Sequence, residues 1–150
     1  MVITFFGESC TGKSTVADHV KAELAADLFS GKDYLRLAKN PAEAQALFTK
    51  HLLDHQDTAD VVVYVVSEKE HLAFLPPKAI RVLFTADIQT IKERFAKRMN
   101  GNLPAPVAAM LERKHGAFDS EQRHLSFDTS RPDAEGIARA ITEYCRNGVK

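Results

Sequence analysis

Val2-Ile3-Thr4-Phe5-Phe6-Gly7-Glu8-Ser9-Cys10-Thr11-Gly12-Lys13-Ser14-Thr15 decides how the rest of the chain reads. Val2 to Phe6 is a short run rich in β-formers that stops at a glycine, the pattern of a buried strand. From Ser14 the period changes. Val16, Val20, Leu24 and Leu28 recur every four residues, which predicts one stripe of an amphipathic helix. Between them, Gly7 to Ser14 fits G-x-x-x-x-G-K-[ST] at every fixed position. The glycines let the backbone curl so that successive N–H groups point at phosphate oxygens, and the helix that follows adds its positive N-terminus. Gly7, Ser9, Cys10, Thr11, Gly12, Lys13, Ser14 and Thr15 are therefore the candidate phosphate-binding residues. Lys13 is placed to reach the outer phosphates, and the Ser14 hydroxyl is the candidate Mg²⁺ ligand. Four fixed positions recur by chance in roughly one of 200 chains of this length at average residue frequencies. A strand before the loop and a helix after it make chance a poor explanation here.

Working outward, strands and helices alternate. Ser30-Gly31-Lys32-Asp33 is a turn signal, and Pro41 opens a helix carrying Ala44, Leu47, Phe48 and Leu52. Val61 to Val66 is an uninterrupted β-branched run of the kind covered on both faces in parallel sheets. Ala79 to Phe84 reads as another strand, and Ile88, Ile91, Phe95 and Met99 mark a helix. Gly101 to Pro106 reads as a loop, with Val107, Met110 and Leu111 beginning a further helix. His124 to Phe127 suits a last short strand, and Ile137, Ala138, Ile141, Tyr144 and Cys145 a closing helix. Strands separated by helices predict βαβ units with helices on both faces of one mainly parallel sheet.

The chain has 150 residues, the size of one domain, with apolar residues at 45% and charged residues at 27%, which excludes a disordered chain. Lys+Arg 20 balance Asp+Glu 20, so a dominant nucleic-acid or anionic-membrane surface is not expected. No run approaches the roughly 20 apolar residues that span a bilayer. Cys10 and Cys145 are expected as free thiols in a reducing cytoplasm. His51 and His55 stand at i,i+4, but without the glutamate of H-E-x-x-H they read as an exposed helix face. A regulatory GTPase is excluded by the lack of N-K-x-D, and the sole D-x-x-G falls at Asp133 to Gly136, far too late in the chain. The Val61–Val66 run continues into Ser67-Glu68 rather than Asp-Glu, which argues against a motor ATPase; either Glu68 or another carboxylate helps hold Mg²⁺, or the ion is held only by Ser14, phosphates and water.

The early loop, the short chain and the later pattern resemble the compact P-loop kinases, which include cytidylate-kinase-like, shikimate/gluconate-kinase-like and chloramphenicol-phosphotransferase-like families. Phe6 to Ser14 carries the likeness most specifically. Gly31-Lys32-Asp33-Tyr34-Leu35 resembles the G-x-D-x-hydrophobic segment that holds an acceptor-site aspartate in such enzymes. Arg94-x-x-x-Arg98, with Gly101, Pro104 and the helix running to Arg113, resembles a mobile arginine-bearing lid, and Phe127-Asp128-Thr129-Ser130 resembles the strand-end "DTS". The resemblance implies an α/β, three-layer α/β/α P-loop NTPase fold with a five-stranded, mainly parallel sheet. It further implies a single domain over 1–150 with a lid around 98–115. ATP and Mg²⁺ are the implied cofactors, and the implied reaction moves the ATP γ-phosphate to a nucleotide or a small hydroxyl-bearing metabolite. Lys13, Asp33, Arg94 and Arg98 are the implied catalytic residues. On their own, Asp33 also reads as a turn residue and Arg94 and Arg98 as a solvated helix face. The alternative function is a regulatory nucleotide-binding protein with an idle transfer site. A monomer or homodimer, with no nucleic-acid or membrane partner, is expected.

Overall fold

The computed structural model describes residues 1–147. Strands β1 (Val2–Gly7), β2 (Asp27–Ser30), β3 (Val62–Val66), β4 (Ile80–Thr85) and β5 (Leu125–Asp128) form one five-stranded sheet in the order β2-β3-β1-β4-β5. Every pairing is parallel, so the sheet is wholly rather than mainly parallel. The helices are α1 (Lys13–Leu24), α2 (Pro41–His55), α3 (Ile88–Arg98), α4 (Ala105–Lys114) and α5 (Ala134–Arg146). β1 is central and buried at all six positions, as its apolar run requires.

Alternation along the strands divides the core into two faces. Ile3 and Phe5 of β1, Val63 and Val65 of β3, and Val82 and Phe84 of β4 pack against Val16, Ala17 and Val20 of α1 and Ile137, Ala138 and Ile141 of α5. Val2 and Phe6, with Val62, Tyr64 and Val66, pack on the other face against Ala44, Phe48 and Leu52 of α2. The third cluster lies off the sheet. Ile91 and Phe95 of α3 meet Val107, Met110 and Leu111 of α4, with Cys10 of the phosphate loop beside them. The α3–α4 pair is thereby seated on the loop. Cys10 and Cys145 are both free and buried. Among the described residues no helix is long and apolar enough to cross a membrane.

Leu28 is not helical, contrary to the four-residue stripe. The helix stops at Leu24 because Ala25 adopts a left-handed conformation (φ 51°), and the Ala26 amide donates back to the Lys21 carbonyl at 3.1 Å. Leu28 then points into the same core from β2, so its apolar character is satisfied by a strand. Ala105 and Pro106 begin α4 instead of ending a loop, with the proline in the first turn, where its missing N–H costs nothing.

Gly7 closes β1 with φ +152°, and a Cβ there would lie 2.2 Å from the Phe84 carbonyl oxygen of β4. Gly31 also has positive φ (+50°), yet a Cβ there meets nothing within 4 Å. Gly7→Ala should therefore combine backbone strain of about 1–3 kcal/mol with overpacking of about 1–3 kcal/mol. Gly31→Ala should bear only the left-handed penalty of about 1–2 kcal/mol. At about 2–4 °C per kcal/mol, thermal melts should show Gly7→Ala clearly the less stable. Equal melting temperatures would contradict the close approach at Gly7.

Candidate functional site

The loop between β1 and α1 is held by its carbonyl groups. Lys13 Nζ donates to the carbonyls of Gly7 (2.8 Å) and Glu8 and to Thr11 Oγ1 (3.3 Å). Thr11 Oγ1 donates to the Glu8 carbonyl (2.7 Å), and Thr129 Oγ1 donates to the Thr11 carbonyl (2.8 Å). Arg94 donates to the Cys10 carbonyl (3.0 Å), to Thr129 Oγ1 (3.1 Å) and to the Thr129 carbonyl. With these oxygens engaged, the loop's N–H groups are left without backbone partners. Positive φ at Cys10 (65°) and Gly12 (81°) produces the curl. The first turn of α1 has no side-chain cap, so its amides await an outside acceptor.

Ser9, Cys10, Thr11, Gly12, Lys13, Ser14, Thr15, Ser67 and Arg98 enclose a cavity of about 90 Å³. No carboxylate is among these residues, so an anion entering it meets only neutral and cationic groups. Lys13 is 4% exposed, and burial pushes its ammonium pKa down to about 7, while Cys10 and Glu8 oppose and the nearby Arg98 guanidinium adds to the fall. A desolvated cation in a ring of amides fits phosphate, and Ser14 at the start of α1 fits a metal ion riding on that phosphate.

Larger cavities flank this one. One of about 310 Å³ shares Cys10, Gly12, Thr15 and Arg98 with it and extends past Arg94, Pro132 and Ile137. The other, about 480 Å³, shares Ser9 and Ser67 and lies between the loop, the end of β3 and α4. Its apolar wall is Met110, Leu111 and Phe118, and its rim carries Glu68, Lys69, Glu70 and Lys114.

All of the candidate loop residues except Gly7, which closes β1, thus line one cavity, and Arg98 joins them from α3. Arg94 lines the 310 Å³ cavity with its guanidinium committed to the loop carbonyl and Thr129. Asp33 does not line any of these cavities. It begins a 3₁₀ turn, Asp33–Leu37, and its Oδ2 accepts from the Ser30 amide at 2.8 Å, the turn-residue behaviour its position also allowed. Asp128 accepts from the Ser130 amide (2.8 Å) beside the end of β5.

Thr129, part of the strand-end "DTS", ties β5 to the loop. One participant is not legible in the sequence. Glu8 occupies an unrestricted motif position: His115 Nδ1–H donates to its Oε1 (3.0 Å) and the Gly116 amide to its Oε2 (3.2 Å). This carboxylate joins the loop to the end of α4, and no local pattern announces it.

The chain has the fold of the small P-loop kinases, with the Gly7–Lys13 loop at the C-terminal end of central strand β1. Shikimate kinase from Acinetobacter baumannii in complex with shikimate is similar over 99% of this chain and 95% of its own, at 17% identity and a TM-score of 0.68. A gluconokinase from Sinorhizobium meliloti covers 97% and 92% at 16% identity, TM-score 0.64. The YorR protein from Bacillus subtilis, in complex with phosphorylated GDP, covers 100% of both chains at 23% identity, TM-score 0.61. No protein-family model matches the sequence, and no curated protein matches it either.

Lys13 gives a pH-dependent signature. Its folded pKa is lowered to about 7, so above neutrality the free site holds it mostly uncharged. A bound polyphosphate favours the ammonium and raises that pKa again. Calorimetry of a nucleoside triphosphate in buffers of different ionisation enthalpy should show uptake of up to one proton at pH 8, falling away by pH 6. No uptake at pH 8 would contradict the desolvated state of Lys13.

Proposed function

We propose that this protein is an ATP-dependent phosphotransferase that moves the γ-phosphate to a nucleotide or a small hydroxyl-bearing metabolite. The observation that carries this reading is the placement of the cavities: the small phosphate cradle shares one wall with each of two larger spaces. A transferred group needs a donor on one side and an acceptor on the other, roughly in line. The 310 Å³ cavity takes the nucleoside, between the arginines of α3 and the Pro132–Ile137 segment. The 480 Å³ cleft takes the acceptor, its apolar wall and charged rim suiting a small polar molecule.

In this reading Lys13 and the loop amides hold the β- and γ-phosphates, and Mg²⁺ is held by Ser14, phosphate oxygens and water. The metal neutralises phosphate charge when bound. Arg98 lines both the nucleoside cavity and the cradle, so it is the residue that can follow charge onto the moving group. Arg94 contributes by fixing the loop and walling the nucleoside cavity. Residues 98–115 act as the lid, tethered at their far end by Glu8 to His115 and Gly116. Asp33 is assigned as the acceptor-orienting carboxylate on the G-x-D-x-hydrophobic resemblance alone, since its Oδ2 accepts from the Ser30 amide and it lines neither larger cavity. Similarity to a shikimate kinase, to a gluconokinase and to YorR in complex with phosphorylated GDP supports a small acceptor rather than a macromolecule.

The test is ADP release with a panel of hydroxyl acceptors, with melting temperature read alongside. Mg-ATP at 100 times its dissociation constant should add about 2.7 kcal/mol, and Lys13→Ala should remove that gain. Arg98→Ala should lower turnover more than ATP affinity. Asp33→Asn should bind ATP normally while transfer falls by about 10²–10⁴. Full transfer by Asp33→Asn returns that residue to its turn. ATP stabilisation with no ADP release on any acceptor favours the regulatory alternative.

A further inference from the structure

Just beyond β3, the chain turns through Glu68-Lys69-Glu70-His71 into a 3₁₀ segment, Lys69–Phe74. The His71 amide donates to the Glu68 carbonyl at 3.1 Å. That turn bond holds the backbones of Glu68 and His71 close together. A carboxylate oxygen from each of Glu68 and Glu70 and a ring nitrogen of His71 all lie within 4.8 Å of one another.

The histidine makes this more than an acidic cluster. His71 is 4% exposed, and its Nδ1 is buried with no hydrogen-bond partner. Folded proteins rarely leave such a nitrogen unsatisfied. Its ring is held in place by Tyr34, Tyr64 and Phe74, and imidazole nitrogen is a common ligand of transition metals. The two glutamates are exposed and line the 480 Å³ cleft, so an ion has a path in. Lys69 is drawn away to Glu121 (3.3 Å), and among the described residues no lysine forms an ion pair with Glu68 or Glu70. Lys32 and Lys114 stand near Glu68 as the cations an incoming ion must compete with.

We propose that Glu68, Glu70 and His71 form a binding site for a divalent transition-metal ion of the Zn²⁺ class. One imidazole and two carboxylates suit such an ion better than Mg²⁺, which prefers oxygen alone. Three protein ligands leave a coordination position open, the arrangement of sites that bind water or a ligand rather than purely structural ones. Glu68 and Glu70 line the cleft, while Ser14 lies on the separate small cavity.

The experiment is Zn²⁺ titration of the chelator-treated full chain by calorimetry, with Co²⁺ absorption as a second readout. Wild-type protein should bind one equivalent, and the Co²⁺ spectrum should lack a thiolate charge-transfer band. His71→Phe keeps the ring's bulk among its aromatic neighbours, and Glu70→Gln alters only an exposed side chain. Each removes a direct ligand and should weaken binding by at least the 10–100-fold that loss of a supporting group typically costs. His51→Ala breaks the rival pair with His55, whose rings lie 4.3 Å apart on α2, and should leave affinity unchanged. Failure of the wild type to bind stoichiometrically overturns the proposal. So does binding that survives both His71→Phe and Glu70→Gln, binding that is lost with His51→Ala, or a thiolate band.

Discussion

The structure depends on a reversal of backbone polarity between Gly7 and Lys13. A chain leaving a buried strand must place each carbonyl and amide somewhere. Here the carbonyls of Gly7, Glu8, Cys10 and Thr11 are all taken by Lys13, Thr11, Arg94 and Thr129. The amides are what remain. Three of those four donors sit at the meeting of separate elements: α1 supplies Lys13, α3 supplies Arg94, and the end of β5 supplies Thr129. The loop is therefore built by the tertiary fold as much as by its own glycines. Its left-handed Cys10 persists because neighbours on both sides over-determine it.

This arrangement stores an electrostatic debt at Lys13. Burial lowers its pKa first of all, and Arg98 adds to the effect. An anion in the cradle relieves both at once, because it pairs with the two cations and accepts from the amides. In the proposed reading, affinity for phosphate and the desolvation of Lys13 are thus two readings of one geometry. The flanking cavities inherit their positions from it, since each is walled in part by the same loop.

The amino-acid pattern makes the loop legible because each fixed position answers a physical demand. It makes the central strands legible too, since β1, β3 and β4 are apolar on both faces. β2 is hidden for a definite reason: Leu28 continues the four-residue spacing of Val16, Val20 and Leu24, so a strand residue extends the helix's stripe. The tie from Glu8 to His115 and Gly116 spans more than 100 residues, and nothing local reports it. Arg94 was legible as a member of an arginine pair, but its commitment to Thr129 and the Cys10 carbonyl requires the sheet order that brings β5 beside β4. The place of His71 is not legible in the sequence because it is packed by Tyr34, Tyr64 and Phe74, which are distant or differently phased in the chain.

The central claim is that the amides freed by this loop receive the phosphates of a nucleotide. Backbone ¹⁵N–¹H chemical shifts, followed while the wild-type protein is titrated with Mg²⁺ and a non-hydrolysable ATP analogue, test it most directly. Hydrogen bonding to phosphate should give the largest saturable downfield amide changes at Gly12, Lys13 and Ser14, with smaller ones at Thr129 and along 132–137. Saturable changes elsewhere on the surface, with the loop amides unmoved, would contradict the account.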